Sequence, residues 1–142
     1  MKKIKKIIFP ILLILCLAAG AIWQSVMTQI EKNKYAAIGD FVDVGTYQAH
    51  YYSKGSGGTA FVLIAGSGTP CAYTDFYALQ NMLSAKGQTI SFDHAGSGWS
   101  SSTDSPRTVE NMANELAVLI DTVAPNKSVV ILCHSLGALE AI

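Results

Sequence analysis

The sequence predicts an α/β fold, a mostly parallel sheet with helices on both faces, set behind an N-terminal apolar helix. Three observations carry this prediction. Short strand-like runs at 60–65, 88–92 and 128–133 alternate with stretches of helical spacing, and a strand-helix-strand order requires parallel strands joined by crossover helices. Each run stops at a loop bearing serine and glycine, the edge at which open α/β sheets place their ligand sites. The first 23 residues combine four lysines with a long uncharged run, as membrane anchors and export signals do.

Lys2, Lys3, Lys5 and Lys6 precede Ile7 to Trp23, seventeen residues without a charge. As a helix this run reaches about 26 Å, and Ile4, Val26 and snorkelling lysines extend it toward the roughly 30 Å of a hydrocarbon core. An uncleaved anchor is the favoured reading; the alternative is a signal peptide cut near Ala21, at the A-x-A-like Ala19-Gly20-Ala21. In both, the lysines stay in the cytoplasm and the remainder is exported. The expected organisation is an anchor or signal at 1–27, a linker at 28–39 and a globular part at 40–142. The formal net charge is zero, but from Gln24 onward six basic residues face ten acidic ones, a balance of −4. No basic footprint for nucleic acid remains.

From Asp40 the apolar spacing becomes two. Phe41, Val42 and Val44, then Tyr47, Ala49, Tyr51 and Tyr52, predict two strands about a Gly45-Thr46 turn, followed by a flexible loop at 55–58. His50 reads as a half-buried sheet histidine, because no second His or Cys lies at metal-ligand spacing. Neither a metal nor a cofactor is expected.

Residues 60–65 form a buried strand ending in Gly66-Ser67-Gly68-Thr69-Pro70. A phosphate loop is disfavoured, since no Gly-Lys-Ser/Thr follows and the third glycine of a dinucleotide fingerprint is missing. Thr74 or Asp75 can cap a helix whose Phe76, Leu79, Met82 and Leu83 read as core, with Gly87 at its end. A strand at 88–92 leads into Asp93-His94-Ala95-Gly96-Ser97-Gly98-Trp99-Ser100, which taken alone is a surface turn. Thr108 opens a helix with Glu110 in its first turn and with Val109, Met112, Leu116, Leu119, Ile120 and Val123 on one face. Ala124-Pro125-Asn126 stops it.

The strand at 128–133 then runs without a spacer into His134-Ser135-Leu136-Gly137. A sharp strand-to-helix turn of this kind lifts a serine hydroxyl clear of the sheet, and small residues are required on either side of it because two backbones nearly touch. Gly137 meets that need, Cys133 less well. The strand itself reads as buried.

Gly66-Ser67-Gly68, Asp93-x-x-Gly96-x-Gly98-x-Ser100 and His134-Ser135-Leu136-Gly137, in this order and each after a strand, resemble the N-terminal half of the α/β-hydrolase superfamily, in the flavour of its membrane-anchored or exported bacterial members. The resemblance covers about residues 40 to 142. It implies a serine hydrolase acting on a small-molecule ester or amide, with Ser135 as nucleophile and the backbone N–H groups of Leu136 and Ser67 as oxyanion hole. Gly66, Gly68, Asp93, Gly96, Gly98, His134 and Gly137 would shape the site without doing chemistry. Ala65 stands where many members carry His, and Cys133 where Gly is commonest.

In this family the triad acid and histidine follow the serine, and only seven residues follow Ser135. The resemblance therefore implies a fragment, nearly inert by itself, whose last strand presents an open apolar edge. The alternative function is a non-catalytic binding or interaction module on the same fold. Cys71 and Cys133 read as unpaired small hydrophobes rather than a disulfide.

Overall fold

The computed structural model describes residues 2–141. Met1 and Ile142, the outer ends of the expected anchor and globular segments, lie outside the described residues, as do the side chains of residues 2–7 and of Lys32. The chain divides into two compact units, 1–36 and 37–142.

The first unit is one helix, α1 (Lys2–Lys34), which runs on into the segment expected as linker, 28–39, and ends within it. Within it Ile8–Glu31, 24 residues of mean hydropathy 2.0, is long and apolar enough to cross a membrane by length and composition. At 1.5 Å per residue it reaches about 36 Å.

The second unit is a five-stranded mixed sheet. Its strands are β1 (Asp40–Asp43), β2 (Gln48–Lys54), β3 (Thr59–Ile64), β4 (Gln88–Phe92) and β5 (Ser128–Cys133), in the spatial order β1-β2-β4-β3-β5. β4, β3 and β5 are parallel, as their helical crossovers require. The β1-β2 hairpin joins antiparallel to β4. At its turn Gly45, with φ of 89°, donates its N–H to Asp43 Oδ1 at 2.8 Å.

Alternation along the strands sends Ala60, Val62, Ile64, Ile90 and Phe92 to one face, where Leu116 and Leu119 of α4 (Val109–Val123) complete the core. Thr108 caps α4 as predicted, its hydroxyl accepting from Asn111 N at 3.2 Å. The opposite face carries Leu63, Thr89 and Ser91, against two short helices, α2 (Ala72–Asp75) and α3 (Tyr77–Leu83).

Here the expectation of one helix with an apolar core face is corrected. The helix breaks at Phe76, Cys71 rather than Thr74 or Asp75 takes the N-cap position, and Met82 is 72% exposed. The buried residue of α3 is Gln80, whose amide donates to Tyr52 O and Thr89 O and accepts from Ser91 Oγ. A polar strand face demands a polar partner, because each buried donor or acceptor must be matched.

A second correction concerns β5. It pairs with β3, but it is the outermost strand, and Val129, Val130 and Ile131 are 36–42% exposed. It presents the open apolar edge anticipated for the last strand. The segment after it, Ser135–Ala141, is a 3₁₀ helix, the tighter form common at helix ends.

Candidate active site

Three loops meet at the carboxyl ends of β3, β4 and β5. After β5 the chain turns so sharply that Ser135 takes φ of 52°, a left-handed conformation costing a non-glycine residue about 1 kcal/mol or more. The turn is pinned on both sides: His134 N donates to Ile64 O at 2.9 Å, and Gly137 N donates to His134 O at 3.0 Å. A Cβ on Gly137 would lie 2.6 Å from Ala65 O, so glycine alone fits there. Cys133 is exposed, so its position is not pinched in the same way. Partial desolvation, and then the Glu140 carboxylate, raise its thiol above the usual value, which keeps it protonated and poorly nucleophilic.

The loop after β3 lies directly against this turn. A Cβ on Gly66 would be 3.0 Å from Ser135 Cβ and 3.1 Å from His134 O. Thr69 N donates to Gly66 O at 3.3 Å, closing a tight turn in which Gly68 has φ of 84°.

The loop after β4 is not a surface turn. Asp93 is 1% exposed; its carboxylate accepts from Ala72 N at 2.7 Å, Trp99 N at 3.2 Å and His50 Nδ1 at 2.9 Å. Gly98, at φ of 51°, lets the loop fold over that carboxylate, since a Cβ there would fall on Asp93 Oδ2. Gly96, at φ of 74°, turns in open space. His50 is fully rather than half buried: its Nε2 donates to Ile38 O at 2.6 Å, its ring lies 4.8 Å from Trp99, and both nitrogens are occupied.

Gly66, Ser67, Gly68, Leu136 and Gly137 line one cavity of about 380 Å³, with His94 and Ser97 of the β4 loop. Ser135 stands at its edge against Gly66, the exposed His134 beside it, whereas Asp93 and Gly98 are packed behind. Three features of the cavity escaped the sequence reading. Its apolar wall comes from Val109, Met112 and Leu139. Glu140, buried, accepts from His94 Nε2 at 2.8 and 3.0 Å through its two oxygens. Arg107, the single arginine of the chain, lines the cavity while its Nη1 donates to buried Glu115 at 2.8 Å, which also accepts from Thr46 Oγ1. A lone acid inside Gly137-Ala-Leu-Glu140-Ala was the one available signal for Glu140.

A sheet of this order, with a strained serine at the turn after its fifth strand, defines the α/β-hydrolase fold. The chain has that fold, and solved structures agree. An esterase from Exiguobacterium antarcticum is 24% identical with a TM-score of 0.64, over 73% of this chain and 38% of its own. The Cif epoxide hydrolase from Acinetobacter nosocomialis is 22% identical with a TM-score of 0.70, over 85% and 39%. An enol-lactonase from Burkholderia xenovorans is 20% identical with a TM-score of 0.63, over 71% and 39%. The chain thus spans less than two fifths of these proteins. No family model and no curated protein matches the sequence.

Proposed function

We propose that the complete protein is a serine hydrolase of the esterase or lipase kind, cleaving a small-molecule ester or amide through an acyl-enzyme on Ser135. The observation that carries this reading is the left-handed Ser135, φ 52°, between β5 and a 3₁₀ helix. Strain of that size in a non-glycine residue is retained where it aims a side chain. In the proposed reaction Ser135 Oγ attacks the carbonyl carbon and gives its proton to a base. The Leu136 and Ser67 N–H groups then stabilise the oxyanion, the alcohol or amine leaves with the proton returned by the base as its bond to the carbonyl carbon breaks, and water releases the acyl group in a second, mirrored step. Both residues lining one cavity supports the pairing.

The base belongs outside residues 2–141. Among the described residues none hydrogen-bonds Ser135 Oγ. Both nitrogens of His50 are engaged. His94 Nε2 is taken up by both oxygens of Glu140. Asp93, buried behind the cavity, shapes the site without doing chemistry. In the same reading residues 1–27 anchor the protein with its globular part, 40–142, outside the cytoplasm, and 28–39 link the two; secretion after cleavage near Ala21 is the alternative.

A fluorophosphonate probe, which phosphonylates only activated serines with loss of fluoride, tests the proposal. The complete protein labels, Ser135→Ala does not, and residues 1–142 alone label very slowly. Labelling that survives Ser135→Ala removes Ser135 from the mechanism, and rapid labelling of residues 1–142 places the base within them. A complete protein that never labels favours the binding-module reading.

A further inference from the structure

We infer that His94 is a positioning residue, whose bond to Glu140 holds the 3₁₀ helix in register and so aims the Leu136 N–H into the cavity. The proposal rests on the hydrolase reading for its purpose, but its geometry is independent of it. Of the seven residues of Ser135–Ala141, only Gly137 and Glu140 are buried, and glycine brings no side chain. Leu136 and Leu139 are exposed, so the helix has no apolar anchor of its own. A 3₁₀ helix is weakly hydrogen-bonded and short-lived without outside support. Its one buried side chain is a carboxylate, and that carboxylate accepts from His94 through both oxygens, at 2.8 and 3.0 Å.

The other end of the bond is firm. His94 follows Asp93, which is fixed by Ala72, Trp99 and His50, and its ring lies 5.1 Å from that of Phe92 in the core. At about 2 Å rise per residue, Glu140 sits roughly 8 Å along the helix from Leu136. Beside α4, against which the 3₁₀ helix also packs, the elbow is held at one end by Gly137 against Ala65 and at the other by His94. Losing the second hold lets the helix, and with it the Leu136 amide, swing about the first.

Amide hydrogen exchange on the full chain in detergent micelles reads this directly, because Gly137 N–H reports the first turn of the helix through its bond to His134 O. In His94→Ala the Gly137 amide should exchange roughly tenfold faster while Val62 and Ile90 in the core strands stay within about threefold of wild type. His94→Gln, whose amide can donate to the same carboxylate, should recover most of the protection. Unchanged Gly137 protection in His94→Ala, no recovery in His94→Gln, or equal acceleration at Val62 and Ile90 each overturns the proposal. Fluorophosphonate labelling of the complete protein should fall and recover in the same two variants. Labelling indifferent to Ser135→Ala overturns the hydrolase reading and leaves the exchange result standing.

Discussion

Replacing Asp93 separates a structural carboxylate from a catalytic one. Its two oxygens accept three hydrogen bonds, from Ala72 N, Trp99 N and His50 Nδ1, at 1% exposure. Bonds to a buried charge are worth about 1.5–3 kcal/mol each. In Asp93→Asn the amide oxygen keeps Ala72, and the amide NH₂ can donate to His50 Nδ1 in the tautomer whose Nε2–H donates to Ile38 O. Only the Trp99 N–H loses its acceptor, facing the NH₂ instead. The expected cost is about 2 kcal/mol. Asp93→Ala orphans all three donors and is expected to cost about 4 kcal/mol, the range found when one partner of a buried pair is removed. Urea unfolding of the full chain in detergent, followed by the fluorescence of Trp99 in a Trp23→Phe background, measures both. Equal costs for the two variants, or less than about 0.5 kcal/mol for either, would refute the hydrogen-bond accounting. An Asp93→Asn variant of the complete protein with native stability and no acylation would make Asp93 catalytic after all.

Gly137→Ala forces a Cβ to 2.6 Å from Ala65 O and 2.8 Å from Ile64 Cγ2; neither can retreat, so we expect a loss of about 1–3 kcal/mol, seen as a lower urea midpoint, and slower fluorophosphonate labelling of the complete protein. Tyr47 carries a phenol raised above its usual value by burial and then by the Glu115 carboxylate. The folded state therefore holds this proton more tightly than the unfolded chain, and that share of stability is complete below about pH 10 and lost as the pH rises beyond it. Melting temperatures taken across that window should fall less steeply in Tyr47→Phe, and identical slopes would remove Tyr47 from the effect. If α1 anchors the protein with its globular part outside, the full-length protein fractionates with membranes and is cut by protease added to intact cells; recovery from the cytoplasm would exclude this.

Much of the fold was legible in the chain because its signals are local. Apolar runs mark β3 and β5, a short β-prone run marks β4, helical spacing marks α4 and the cap at Thr108 its start, and the uncharged stretch after the lysines marks α1. The elbow was legible for the same reason, since a tight strand-to-helix turn restricts the residues that fit on either side of Ser135, and Gly137 satisfies that restriction. What the sequence could not decide was who sits next to whom. Asp93 and His50 are 43 residues apart, His94 and Glu140 46 apart, and nothing in either neighbourhood announces the partner; only the order β1-β2-β4-β3-β5 brings them together. The helix after β3 misled because its apolar residues imply a buried apolar face, whereas the strand face beneath it is Thr89 and Ser91, which Gln80 can satisfy and Met82 cannot. β5 misled in the opposite way: an apolar strand reads as interior, but burial belongs to its neighbours, and here it has one.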